Sequence, residues 1–154
     1  MGTEIERKYL VEGDAWRALA RGTRYRQGYL SRDRDRTVRI RSTGDKAHIT
    51  IKGPTVGARR LEFEYEIPVG DGEAMLDALA ERPLIEKNRY RIPHGAVTIE
   101  VDEFLGENAG LVVAEVELQR EDQAFDKPAW LGREVTDDAR YYNANLTAHP
   151  FSRW

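Results

Sequence analysis

Glu4 and Glu6 stand two residues apart, with Lys8 two further on, in the string Glu4-Ile5-Glu6-Arg7-Lys8. In an extended chain, residues i, i+2 and i+4 point the same way, about 6–7 Å between neighbours. Two carboxylates so placed can hold a hard divalent cation such as Mg²⁺, and the lysine beyond them can meet a phosphate that the cation bridges. A second such pair, Glu115 and Glu117 in AEVEL, would complete a four-carboxylate site, and Asp102 in IEVDEF is a further acid of the same kind. Against these acids stands a basic set: Arg39 and Arg41 in TVRIR, Lys52 in TIKG, Arg60 in RRLEFEYEI, and Lys87 and Arg89 in EKNRYRI. Arginine matches phosphate oxygens through its planar fork, and lysine acts as a point charge. A triphosphate, with its many acceptor oxygens, needs a donor set of this size. No GxxxxGK[ST] string is present, so a phosphate-cradling glycine loop is excluded. Each short charged string, taken alone, is also what a solvent-facing strand looks like.

The elements that must position these residues are strands. Strict two-residue alternation marks 3–11, 25–30, 36–42, 47–52, 60–68, 85–92, 97–103 and 112–118. On 60–68, for example, Arg60, Glu62, Glu64 and Glu66 oppose Leu61, Phe63, Tyr65 and Ile67. Helical signals are fewer. A helix is expected over 71–81, with Asp71 as N-cap and Pro83 beyond its end. A short one is expected over 14–21, and helices or turns over 121–131 and 138–147. The chain therefore reads as mainly β, of the α+β kind, with a few peripheral helices. Most strands have one apolar and one charged face, and several charged faces carry a single sign. Closing such a sheet into a barrel removes its edges. The alternation leaves open whether the apolar or the charged face lines the lumen. A charged lumen requires paired opposites or a charged ligand.

Composition narrows the classes. The 154 residues suit one domain, 1–154, and are 40% hydrophobic and 33% charged. The 24 Lys+Arg against 27 Asp+Glu give a net charge of −3, which exerts no global pull on nucleic acid. With no cysteine, a disulfide scaffold, a thiolate zinc site and a cysteine nucleophile are excluded. No apolar run has the length of a membrane helix and the charged N-terminus has no signal-peptide core, so a cytoplasmic protein with no membrane partner is expected.

EIERKYLV, RQGYLS, TVRIR, TIKG, RLEFEYEIP, EKNRYRIP, VDEF, AEVEL and EVTDDARYYNANL, in this order, resemble the CYTH domain of the triphosphate tunnel metalloenzymes. That superfamily includes thiamine triphosphatases, class IV adenylyl cyclases and bacterial tripolyphosphatases. The resemblance implies a closed eight-stranded antiparallel β-barrel with the charged face inside, and Mg²⁺ or Mn²⁺ as cofactor. It implies Glu4, Glu6, Glu115 and Glu117 as metal ligands. Lys8, Arg39, Arg41, Lys52 and Arg89 would hold the phosphates, with Arg60 as a further substrate contact from the basic set. Lys87 would orient or activate the attacking water. Glu64 and Asp102 would be lumen carboxylates, for a second metal or for positioning lysines. The short chain is most similar to the members that cleave inorganic tripolyphosphate. An adenylyl cyclase or thiamine triphosphatase on the same scaffold, and a non-catalytic polyphosphate-binding module, are the alternatives. Outer apolar strands with few helices to cover them fit a homodimer.

Overall fold

A computed structural model describes residues 2–154. Its strands are β1 (Gly2–Val11), β2 (Gly22–Asp33), β3 (Arg36–Ser42), β4 (Ala47–Val56), β5 (Arg59–Ile67), β6 (Ile85–His94), β7 (Val97–Phe104), β8 (Val112–Glu117) and β9 (Leu131–Glu134). Two α-helices, α1 (Val69–Ala78) and α2 (Asn143–Ala148), accompany them.

The hydrogen-bonded order is β5-β4-β3-β2-β6-β7-β8-β1-β9, with β5 also pairing β1, and each pairing is antiparallel. The β5–β1 pairing joins the two ends into a ring of eight strands. β1 closes it by dividing its length. Gly2–Ile5 pair with β5, while Glu6–Leu10 pair with β8. β9 then takes up the edge of β1 that β5 leaves, at Tyr9 and Val11.

The alternation decides which side chains face inward. On β1, β7 and β8 the apolar set Ile5, Tyr9, Ile99, Val101, Ala114 and Val116 is buried on the outside. There Trp16, from the 3-10 turn Ala15–Ala18, and Leu118, Leu131 and Trp130 cover it. α1 covers β3 and β4 and lies so close that a methyl group on Gly72 would meet the Ala47 Cβ at 2.5 Å. The charged face of the same strands points into the ring. A second apolar cluster fills one end of the interior, where Ile85, Phe104 and Val113 meet Tyr141 and Leu146 of the C-terminal segment. That segment therefore plugs one mouth of the tunnel.

Some expectations are corrected. The helix expected over 71–81 runs from Val69 to Ala78, and its N-cap is Pro68 rather than Asp71. The proline ring fixes φ at −54°, and its ψ of 135° keeps Pro68 just outside the first turn. Residues 14–21 contain only the 3-10 turn. β9 carries no alternation and was not expected. β2 is longer than 25–30 and changes register between Tyr29 and Ser31. Before the bulge Tyr25, Gln27 and Tyr29 face the lumen. Beyond it the lumen-facing positions are Arg32 and Arg34.

Candidate active site

The ring encloses a lumen of about 920 Å³. Glu4, Glu6, Lys8, Arg39, Arg41, Lys52, Arg60, Glu64, Lys87, Arg89, Glu115 and Glu117 all line it. Asp102 lies behind them, 1% exposed. The two signs occupy opposite halves of the ring. β7, β8, β1 and β5, consecutive around it, supply Glu100, Asp102, Glu115, Glu117, Glu4, Glu6, Glu62 and Glu64. β4, β3 and β6 supply Lys52, Arg39, Arg41, Lys87 and Arg89, and β2, between β3 and β6, adds Tyr25 and Tyr29 to the wall. Lys8 and Arg60 are the basic side chains set into the acidic half.

In the basic half the guanidiniums of Arg39, Arg41 and Arg89 lie close together. Arg39 reaches Thr50 Oγ1 at 3.1 Å and Glu64 at 3.4 Å, yet its buried Nε finds no acceptor. Arg41 donates to Gln27 Oε1 at 3.0 Å. Burial, with Arg39 and Arg89 nearby, lowers the Arg41 guanidinium to about 9. A bound polyanion would remove both costs. Tyr25 sets the spacing of two of these cations, with the guanidinium carbons of Arg41 and Arg89 at 4.9 and 5.2 Å from its ring centre.

Lys87 is fully buried. It forms an ion pair with Asp102 at 2.8 Å and donates to Asn143 Oδ1 at 2.9 Å. Burial lowers its ammonium, Asp102 opposes that, and Arg89 and Arg41 add to it, leaving it at about 7. Arg89 grips Asp102 with two hydrogen bonds of 2.8 Å. Burial raises the Asp102 carboxyl, but Arg89 and Lys87 hold it below its usual value. With both oxygens so taken, Asp102 anchors cations rather than presenting a free ligand.

The acidic half is over-supplied with negative charge. Burial, Glu115 and Glu4 push the Glu6 carboxyl well above the usual range. Burial and Glu4 raise Glu62 to about 7, and burial with Glu4 and Glu100 raises Glu117. Burial also acts on Glu115 and Glu4, but Lys8 and Arg89 carry the first well below its ordinary value and Lys52 carries the second below it. Glu4 holds Lys52 at 2.9 Å. Among the described residues no three acids gather around one point as a finished metal cage. Their chemistry nevertheless fits a hard divalent cation: oxygen donors alone, crowded enough that Glu6, Glu62 and Glu117 are shifted upward.

Arg60 borders the lumen but is tied to its wall, donating to the Gly53 carbonyl at 2.7 Å and Thr37 Oγ1 at 3.0 Å. Glu64 accepts from Thr50 at 2.7 Å as well as from Arg39. The residues that the sequence reading missed are Glu62 and Glu100, which the alternation already placed on the right faces. Tyr25, Gln27 and Asn143 were missed as well and carry no such signal.

This arrangement has known counterparts. The model of the CYTH domain matches residues 2–148. The chain belongs to the CYTH family. An inorganic triphosphatase of Acetivibrio thermocellus is 53% identical over 154 residues, covering 100% of this chain and 99% of the relative. An inorganic triphosphatase of Nitrosomonas europaea is 40% identical over 149 residues, 94% of this chain and 96% of the relative. A crystal structure of an inorganic triphosphatase superimposes with a TM-score of 0.63 at 36% identity, covering 96% of this chain and 95% of that one. A putative adenylate cyclase from Bacillus halodurans, 18% identical with a TM-score of 0.62, shares the fold over 79% of this chain and 84% of its own. The eight-strand ring with charges inside is thus the CYTH architecture, which settles the orientation that alternation left open.

Proposed function

We propose that this CYTH protein hydrolyses inorganic tripolyphosphate to diphosphate and phosphate, with residues 1–154 acting as one catalytic domain. The observation that carries this reading is the two-sided lumen, with a cluster of buried arginines and lysines set against crowded carboxylates around one cavity. The full-length similarity to inorganic triphosphatases supports the same substrate. A cyclase would need a base pocket, and the mouth beyond Lys87 is filled by Tyr141 and Leu146. A pure polyanion binder would have no use for the acidic half.

In this reading Glu4, Glu6, Glu115 and Glu117 hold Mg²⁺ or Mn²⁺, which when bound neutralises phosphoryl oxygens. Lys8, Arg39, Arg41, Lys52 and Arg89 hold the polyphosphate and stabilise the charge that builds on the leaving diphosphate. Lys87, fixed by Asp102, orients a water toward the terminal phosphorus. The water oxygen bonds to phosphorus, the bond to the diphosphate oxygen breaks, and the water proton passes to the Lys87 amine. Phosphate release from tripolyphosphate, thiamine triphosphate and ATP, each with Mg²⁺ and Mn²⁺, tests the substrate and metal. Preference for tripolyphosphate is expected, and cyclic AMP from ATP would overturn the reading.

We place the protein in the cytoplasm, with no helix among the described residues long and apolar enough to cross a membrane. A homodimer is proposed through the outer face of β4 and β5, where Ile51, Leu61, Phe63 and Tyr65 are exposed.

A further inference from the structure

Lys87 is reached from the C-terminal segment by one side chain, Asn143, the first residue of α2. The Asn143 carbonyl oxygen accepts twice, from Lys87 Nζ at 2.9 Å and from Gln27 Nε2 at 3.0 Å. The oxygen of Gln27 in turn accepts from Arg41 Nε at 3.0 Å. The direction of this chain is forced from the Arg41 end. A guanidinium can only donate. Arg41 therefore turns the Gln27 oxygen toward itself and its amide nitrogen toward Asn143. Asn143 must then present oxygen, which is the atom that Lys87 also needs. Neither amide can flip without placing donor against donor.

Gln27 and Lys87 are both fully buried. A buried carboxamide without partners is costly, so a chain satisfied at each step strongly prefers one arrangement. The lysine stem has four rotatable carbons and about 2 kcal/mol of rotamer entropy. Asp102 alone fixes one of its N–H directions, and a single anchor leaves the ammonium free to swing about that contact. Asn143, a second anchor at 2.9 Å, removes the swing. The remaining N–H direction, or the lone pair of the neutral amine, then has one place to point.

We infer that Asn143 is a positioning residue for Lys87, held in its working orientation by Gln27. The C-terminal segment thereby both plugs the tunnel and aligns its lysine. This rests on the role given to Lys87 above. It predicts loss in the chemical step rather than in binding, because Arg39, Lys52 and Arg89 hold substrate without help from Asn143. Removing an outer partner of a functional group costs roughly 10- to 100-fold in activity.

The test is a double-mutant cycle on the full chain, read as kcat and KM for phosphate release from tripolyphosphate with Mg²⁺. Asn143→Ala is expected to lower kcat about 10- to 100-fold, with KM changed less than threefold. Asn143→Leu, which keeps the volume, is expected to do the same and serves should the alanine variant fold poorly. Lys87→Ala is expected to lose most of kcat, and Asn143→Leu added to it should then cost nothing further. If Lys87→Ala loses most of kcat and Asn143→Leu lowers the remaining rate by the same factor as in the parent, or Asn143→Leu alone retains the full rate, Asn143 acts independently of Lys87 and the inference is overturned. If Lys87→Ala itself keeps full activity, the role of Lys87 fails, and the positioning claim with it.

Discussion

Lys87 and Glu6 are charged side chains whose surroundings disfavour the charge, in opposite halves of one lumen. For Lys87 the folded-state value is lowered to about 7, so its amine is neutral above that pH and able to take a proton. We expect kcat to rise with pH through about 7 and to level off above it. Lys87→Arg, always protonated, should lose that limb along with most of the rate, and an unchanged pH profile in that variant would remove Lys87 from the proton path. Glu6 and Glu62 are shifted upward, Glu62 to about 7. Folded protein then retains protons that the unfolded chain has released, so metal-free stability falls as pH rises from the ordinary carboxylate value through that window. Mg²⁺ competes with those protons. Its increment in Tm is expected to be larger at pH 8 than at pH 5, and a flat or inverse dependence in thermal scans would count against these ligands. Glu6→Gln should raise metal-free stability by about 0.5–2 kcal/mol, while Glu6→Ala and Glu117→Ala should nearly abolish metal-dependent phosphate release. At this scale the charged residues were legible because alternation exposes them. Gln27, Tyr25 and Asn143 were not, since neutral polar residues acquire a role only from neighbours distant in sequence.

Among the elements, α1 is bound to the ring by close approach rather than by a broad apolar stripe. Gly72 sits where a methyl group would meet the Ala47 Cβ at 2.5 Å, whereas nothing lies within 4 Å of one on Gly70. Alanine usually stabilises a helix interior over glycine by about 1 kcal/mol. Gly70→Ala, in the first turn, is expected to gain a part of that, while Gly72→Ala should cost about 1–3 kcal/mol by forcing α1 off the sheet. Denaturant unfolding of the pair separates propensity from packing, and equal shifts would refute the close approach. Arg26, outside the ring, ties β2 to α1 through Glu73 and Asp77. Apart from β2 and the far end of β4, the strands of the ring were legible almost to their ends, because an alternating pattern names both the element and its faces. β9 was not, since four residues without alternation become a strand only where β1 has a vacant edge. The β2 bulge was equally hidden, for it is a mismatch between two strands and belongs to neither alone.

At the scale of the whole molecule, one half of the ring carries the lumen carboxylates and the other most of the lumen cations. Cation and polyanion should therefore help one another bind. Tripolyphosphate and Mg²⁺ together are expected to raise Tm by more than the sum of their separate effects, with saturation at 100 times the dissociation constant corresponding to about 2.7 kcal/mol. Simple additivity in thermal scans would mean that the two bind apart. On the outer face, Leu61 and Tyr65 are 53% and 59% exposed. If they bury one another across a two-fold axis, Leu61→Glu with Tyr65→Glu should convert a dimer to a monomer in sedimentation, and a monomeric parent would exclude the proposed contact.

Sequence alone determined which charged side chains share a strand face, because period-two alternation assigns side chains to faces before any partner is known. It also determined the chemistry within reach: oxygen ligands, no thiol, and more guanidinium and ammonium groups than one phosphate needs. Only the tertiary structure decided which strands are neighbours. The β5–β1 closure gathers β7, β8, β1 and β5 into one half and leaves β4, β3, β2 and β6 opposite. Pairing order is a property of contacts across long stretches of chain, and no local pattern encodes it.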